Sequence, residues 1–202
     1  MKKFMALLLV AGMTLSLTAC GGSTDTAKTD QADGKDTFTV GFDQDFPPFG
    51  YVGDDGEFTG FDIEMATECA ARMGKKIVLQ PIDWDAKDME LEAGTIDCIW
   101  NGFTMNGRED QYTWTDPYMD NSQVVVVKKD SGINTLADLA GKVVEVQKES
   151  AAETALNDEE HADLTASFAQ LLSVGEYNTA FMDLESGAVD AVAIDIGVAQ
   201  FQ

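Results

Sequence analysis

Arg108 ends the stretch NGFTMNGR, in a chain where 36 acidic residues face 13 Lys and Arg. A planar guanidinium presents paired donors that match a carboxylate, a geometry lysine cannot reproduce. Other stretches carry complementary chemistry. DQDFPPF holds Asp43, Phe46 and Phe49; DWD holds Trp84; Asp195 follows AVAI. In QKESAAE, Ser150 and Glu153 have the spacing of a capping box, which marks a helix start whose free N–H groups favour an anion. Together these residues offer a cation, carboxylates and aromatic surface. Taken singly they read otherwise: Arg108 as a surface ion pair with Glu109 or Asp110, Trp84 and Phe46 as core, and Asp45, Asp83 and Asp85 as turn and cap residues.

The elements that must position them alternate. TFTVGF (residues 37–42) reads as a strand, and YVGDDGEFTG as a hairpin turning at Asp55-Gly56. DIEMATECAARMG, from Asp62 to Gly74, reads as an amphipathic helix. KKIVLQPI and IDCIW are strands flanking a helix over Lys87 to Ala93. SQVVVVKK, KVVEVQ and AVDAVAID continue as strands, with helices over TLADLAG, SAAETALN and YNTAFMDLESG. Such alternation predicts an α/β fold of open, mainly parallel sheets covered by helices, in two runs dividing near Pro117 to Ser122. In sheets of this kind the ligand crevice lies beyond the carboxyl ends of the strands, which is where the stretches above fall.

The start of the chain reads as an address. Lys2 and Lys3 precede an apolar stretch too short to span a bilayer comfortably, and LTAC ends on Cys20. Residues 1–20 resemble a bacterial lipoprotein signal, which implies cleavage before Cys20 and lipidation of its thiol. Residues 21–36 contain no hydrophobe larger than alanine and read as a flexible spacer reaching about 20 to 24 Å. A formal charge of −23 disfavours nucleic acid and anionic lipid surfaces as partners. His161 is the one histidine, so histidine triads and multi-histidine zinc sites are absent. There is no P-loop or dinucleotide fingerprint, and no metal or cofactor is expected. Cys69 and Cys98 read as buried free thiols, although export would permit a bridge.

The blocks VGFDQDFPPFGY, GEFTGFDIEMA, PIDWDAKDMELEAGTIDCIWNGFTMNGRED and WTDPYMDNSQVVVVK, in that order, closely resemble the extracellular solute-binding proteins of amino-acid ABC transporters, in particular their polar amino-acid branch. The resemblance implies a two-lobed periplasmic-binding-protein-like fold, lobe 1 over residues 37–118 and lobe 2 over residues 119–202, closing on a free amino acid. It implies that Arg108 forks onto the ligand α-carboxylate with the backbone N–H of Thr104, while the Gly102 carbonyl, the Thr104 hydroxyl and Asp195 accept from the α-ammonium. Phe46 and Trp84 become walls around the side chain, Asp43 a polar contact deeper in that pocket, and Ser150 the second-lobe residue at a helix start. Family members also continue well past the position of Asp195, so the resemblance implies that a C-terminal part of lobe 2 is missing.

The expected protein is therefore a monomeric receptor and not an enzyme. It binds a polar L-amino acid outside the cell, touches the membrane only through the lipid on Cys20, and serves permease subunits. Two other classes use the scaffold: dehydratases of prephenate- or arogenate-like substrates, for which Asp43 with Asp195 would be the suspected acid pair, and ligand-sensing domains of signalling receptors. Departures from the family pattern are a Thr104-to-Arg108 spacing one residue shorter, and VEVQKES, with Glu145 and Glu149, where many members have a glycine-rich turn.

Overall fold

The computed structural model describes residues 35–202; the candidate leader, Cys20 and residues 21–34 of the spacer lie outside the described residues. Strand β1 (Thr37–Phe42) has the predicted bounds, and Val40 and Phe42 on it are fully buried. Short strands β2 (Asp45–Phe46), β3 (Gly50–Val52) and β4 (Phe58–Thr59) form an antiparallel sheet, the last two making the predicted hairpin. Helix α1 (Phe61–Arg72) stops before Gly74, whose φ of 69° is left-handed and ends the helix without a Cβ penalty. Strand β5 (Lys76–Pro81) pairs parallel with β1 along its whole length. A 3₁₀ turn (Trp84–Ala86) then leads into α2 (Lys87–Ala93), and β6 (Cys98–Ile99) pairs parallel with the other side of β1, giving the order β5-β1-β6.

Residues 100–122 form neither helix nor strand. The second sheet follows, with β7 (Gln123–Val127), β8 (Val143–Gln147), α3 (Ala151–Asn157), α4 (Ala162–Ser167), β9 (Gln170–Val174), α5 (Tyr177–Ser186), β10 (Ala191–Asp195) and α6 (Ile196–Phe201). Its order is β7-β10-β8-β9, parallel except for β7, which runs antiparallel to β10. Alternation along the central strands divides their side chains between two faces. Val144, Val146, Ala191 and Ala193 join Leu139, Ala152 and Leu156 on one side, while Val192 and Ile194 meet Tyr177, Ala180, Leu184 and Val198 on the other. Phe46 and Phe49, from the first half of the chain, pack into that second cluster.

Local expectations change at several points. TLADLAG becomes a 3₁₀ turn (Leu136–Leu139), because Ala140 leaves helical geometry at ψ 125° just before Gly141. Edge strand β9 was not foreseen: half-exposed on both faces, QLLSV shows no alternation to read. Neither was α6, a six-residue helix. The spacer is also engaged at its last two residues: Lys35 pairs with Asp97 at 2.8 Å, and the Asp36 carbonyl accepts from the Lys76 N–H at 2.9 Å.

Candidate functional site

The loops after β1, β5, β6 and β8, together with the end of β10, meet around a partly open pocket whose empty space, counting its mouth, is about 280 Å³. Phe46, Trp84, Gly102, Thr104, Arg108, Ser150 and Asp195 all line it. Asp43 does not. It lines a neighbouring cleft of about 1040 Å³, open to solvent, that shares Trp84.

Arg108 is buried, with its guanidinium carbon 5.3 Å from the centre of the Phe103 ring. One terminal nitrogen donates to the Thr104 carbonyl at 3.2 Å; the other donates to the Glu149 carbonyl at 3.2 Å and the Thr154 hydroxyl at 3.1 Å. These three bonds leave two of a guanidinium's five N–H donors for a guest. The alternative reading of Arg108, a surface ion pair with Glu109 or Asp110, is not among its contacts. Phe103 is the hub of an aromatic group, 5.1 Å from Trp84, 5.1 Å from Tyr112 and 5.0 Å from Trp114, and the Trp114 indole donates to the Arg108 carbonyl at 3.1 Å. Behind Trp84 lies the buried Lys87, its ammonium 5.3 Å from the ring and 3.7 Å from the Glu149 carboxylate. Burial pulls the Lys87 pKa below the ordinary lysine value, against the pull of Asp88 and Glu149.

Asp195 stands opposite in charge, at the end of the fully buried β10. Its Oδ1 accepts from the side-chain amides of Gln123, at 2.7 Å, and Asn121. Burial raises its pKa, and the Asn121 and Gln123 bonds oppose that rise. Asn121 also donates to the Thr104 hydroxyl at 3.0 Å, joining the loop after β6 to the end of β10. Asp43 is a turn-maker: its Oδ1 accepts from the Asp45 N–H at 2.8 Å and its Oδ2 from Gln147 at 2.6 Å. Burial pushes its pKa up to about 6, even against those two bonds. Asp45 and Asp85, read as turn and cap residues, instead reach the second sheet's side, Asp45 to Asn178 and Asp85 to Lys148 at 2.7 Å.

Ser150 caps α3 by accepting from the Glu153 N–H at 3.1 Å, but the reciprocal bond runs from the Glu149 N–H to Glu153 at 2.7 Å, one residue outside the expected box. Glu149 has a φ of 61°, in the left-handed region. Here a side chain bears a conformation that glycine adopts freely. Glu145 is not among the residues lining the cavity; it is buried, and burial, with the charge of Asp183, raises its pKa. Cys69 and Cys98 are free and half-buried; burial pushes the Cys98 thiol up to about 12. Among the described residues, no group of three or more His, Cys, Asp and Glu is arranged to hold a metal ion.

Sequence reading missed Phe103, Lys87, Asn121 and Gln147. Phe103 sits inside a stretch singled out for its polar residues; Lys87 and Gln147 gave no signal, since their types are ordinarily exposed.

The carboxyl ends of the two mainly parallel sheets thus bring a buried cation, Arg108, and a buried carboxylate, Asp195, to one cavity. Residues 38–182 match the bacterial extracellular solute-binding proteins, family 3, and the chain belongs to that family. It is 36% identical over 148 residues to the arginine-binding extracellular protein ArtP of Bacillus subtilis, a match covering 73% of this chain and 56% of that protein. The chain thus spans little more than half the length of that relative. Among solved structures, it is similar to an ABC uptake transporter substrate-binding protein from Streptococcus pneumoniae with bound histidine, with a TM-score of 0.77, 37% identity, and coverage of 82% of this chain and 68% of the other. It is also similar to an ancestral amino acid-binding protein described as a precursor of cyclohexadienyl dehydratase, with a TM-score of 0.75, 30% identity, and coverage of 82% and 73%.

Proposed function

We propose that the protein binds a free polar L-amino acid outside the cell and delivers it to an ABC transporter permease. The observation that carries this reading is that buried Arg108 and buried Asp195 line one pocket, with donors of the first still uncommitted. Arg108 takes the α-carboxylate, helped by Ser150 and the Thr104 N–H. Asp195, the Thr104 hydroxyl and the Gly102 carbonyl take the α-ammonium, and Phe46 and Trp84 flank the side chain. Beyond Trp84 the open cleft is lined by Asp43, Asp45, Asp83, Asp85, Glu90 and Glu176, which favours a cationic or neutral polar side chain over an acidic one. Lobe 1 is residues 37–118 and lobe 2 residues 119–202. Cleavage of residues 1–20 leaves Cys20 lipidated, with residues 21–36 as the tether of a monomer.

A second reading, dehydration of a prephenate- or arogenate-like acid, draws on the similarity to a dehydratase precursor and on the raised pKa values of Asp43 and Asp195. Against it, both oxygens of Asp43 already accept protein hydrogen bonds. Calorimetric titration with the twenty amino acids, beside incubation with prephenate and arogenate, separates the two. Saturable heat with arginine, lysine, histidine or glutamine and no turnover supports the receptor. Turnover, or tight binding of leucine with none of those four, contradicts it.

A further inference from the structure

Asp62, in the first turn of α1, is completely buried although it lies outside the cavity. Its Oδ1 accepts from the Tyr118 hydroxyl at 2.9 Å, and that hydroxyl accepts from the backbone N–H of Gly102 at 3.2 Å. Its Oδ2 and the Trp100 indole N–H are both buried and meet no partner at full hydrogen-bond geometry, although Trp100 stands near enough to the carboxylate to favour its charged form; Trp100 lies 6.5 Å from the Tyr118 ring. Burial pushes the Asp62 pKa up to about 6, opposed first by the Tyr118 bond and then by Gly102 and Trp100. A charge buried with only part of its hydrogen-bonding capacity filled costs stability. An exposed acid in the first turn would serve the helix dipole as well.

Gly102 has a left-handed φ of 59° with the Phe49 ring 3.4 Å from where a Cβ would stand, and it belongs to the stretch 100–122, which has no sheet pairing. Its N–H donates to the Tyr118 hydroxyl. The residue before it is held separately, by the bond from the Asp43 N–H to Asn101 at 3.1 Å. We infer that Asp62 is a positioning residue for amino-acid binding: through the Tyr118 hydroxyl it fixes the Asn101–Gly102 peptide, and so the acceptors of Gly102 and Thr104 that face the ligand ammonium. The inference rests on the receptor reading above. Tyr118 lies in the crossover between the two sheets, so the same hydroxyl ties α1, the binding loop and the crossover to one point.

Tyr118→Phe keeps the ring and removes only the tether. In the ligand-free protein, amide hydrogen exchange at Gly102 should quicken about fivefold, the loss of one modest hydrogen bond. Affinity for the best binder among L-arginine, L-histidine and L-glutamine should fall about fivefold, while affinity for its desamino analogue, which has no α-ammonium, should change less than about twofold. Asp62→Asn, which keeps an oxygen for Tyr118, should fall between wild type and Tyr118→Phe in both measurements. A merely structural role would lower affinity for both ligands alike. Equal losses for the two ligands, or unchanged Gly102 exchange, would overturn the inference. Binding of none of the three amino acids by wild type would fail the receptor reading itself, whereas wild-type binding with both variants unchanged overturns the positioning role alone.

Discussion

The two walls of the cavity are built differently. On one side Ser150, Gln147 and Asp195 sit at the ends of β8 and β10, which are almost wholly buried and paired through the centre of a four-stranded sheet. On the other, Gly102, Phe103, Thr104 and Arg108 follow a two-residue strand and lie in residues 100–122, where individual side-chain bonds take the place of a ladder. Asn121 on the Thr104 hydroxyl, Trp114 on the Arg108 carbonyl and Tyr118 on the Gly102 N–H are the pins. A wall held by backbone ladders tolerates the loss of one side chain. A wall held by single polar pairs does not, so substitutions of equal size should weaken binding more on the loop side.

Arg108→Ala should have the largest effect. Removing one partner of a buried, bonded charge pair costs about 2 to 5 kcal/mol, or roughly 30-fold to several thousand-fold in ligand affinity. Calorimetry with L-arginine or L-glutamine measures it. A loss under about threefold would place the guanidinium off the ligand.

On the sheet side, Asp195→Asn should cost about 1 to 3 kcal/mol of binding, since the backbone keeps its place and only the charge is lost. Because burial raises the Asp195 pKa, a bound ammonium should lower it again, so wild-type binding should release protons at acidic pH and weaken as pH falls. Titrations in buffers of different ionisation enthalpy would show that release, and its persistence in Asp195→Asn would assign it elsewhere.

Asp62 makes a stability prediction independent of ligand. Its folded-state pKa of about 6 lies above the ordinary carboxylate value of 3.8, so its contribution is complete below about pH 4 and is lost as pH rises through about 6. Relative to Asp62→Asn, the wild type should lose on the order of 1 to 3 kcal/mol over that window. Denaturant unfolding at pH 4, 5, 6 and 7 tests this, and a constant difference would contradict it.

The smallest expected effect is at the turn before α3. Glu149→Gly relieves a left-handed side chain but loses the contact with Lys87 at 3.7 Å, so a net gain of about 0.5 to 1 kcal/mol in stability is expected, with affinity little changed. A lower melting temperature would show that the Lys87 contact outweighs the strain.

How far the sequence could be read follows the same division. Strands β1 and β10 and helix α2 were legible because apolar runs and their punctuation carry the information. Seven of eight candidate residues meet at one cavity because they lie at or just beyond the carboxyl ends of sheet strands, a position that topology dictates. Asp43 shows the limit: its type suited a ligand contact, while its neighbours Asp45 and Gln147 claim both oxygens. The pins of residues 100–122 were not legible, since Asn121 and Tyr118 acquire partners only across 17 and 56 positions of chain.

The central claim, that Arg108 and a ligand α-carboxylate meet in this cavity, is tested most directly by a cycle that alters each partner. Affinities of wild type and Arg108→Ala are measured for the best-binding L-amino acid and for its α-carboxamide. If the two groups meet, amidation removes most of the binding to wild type and costs far less in Arg108→Ala, leaving a coupling of about 1.5 kcal/mol or more. Additive losses, with coupling near zero, would contradict the account.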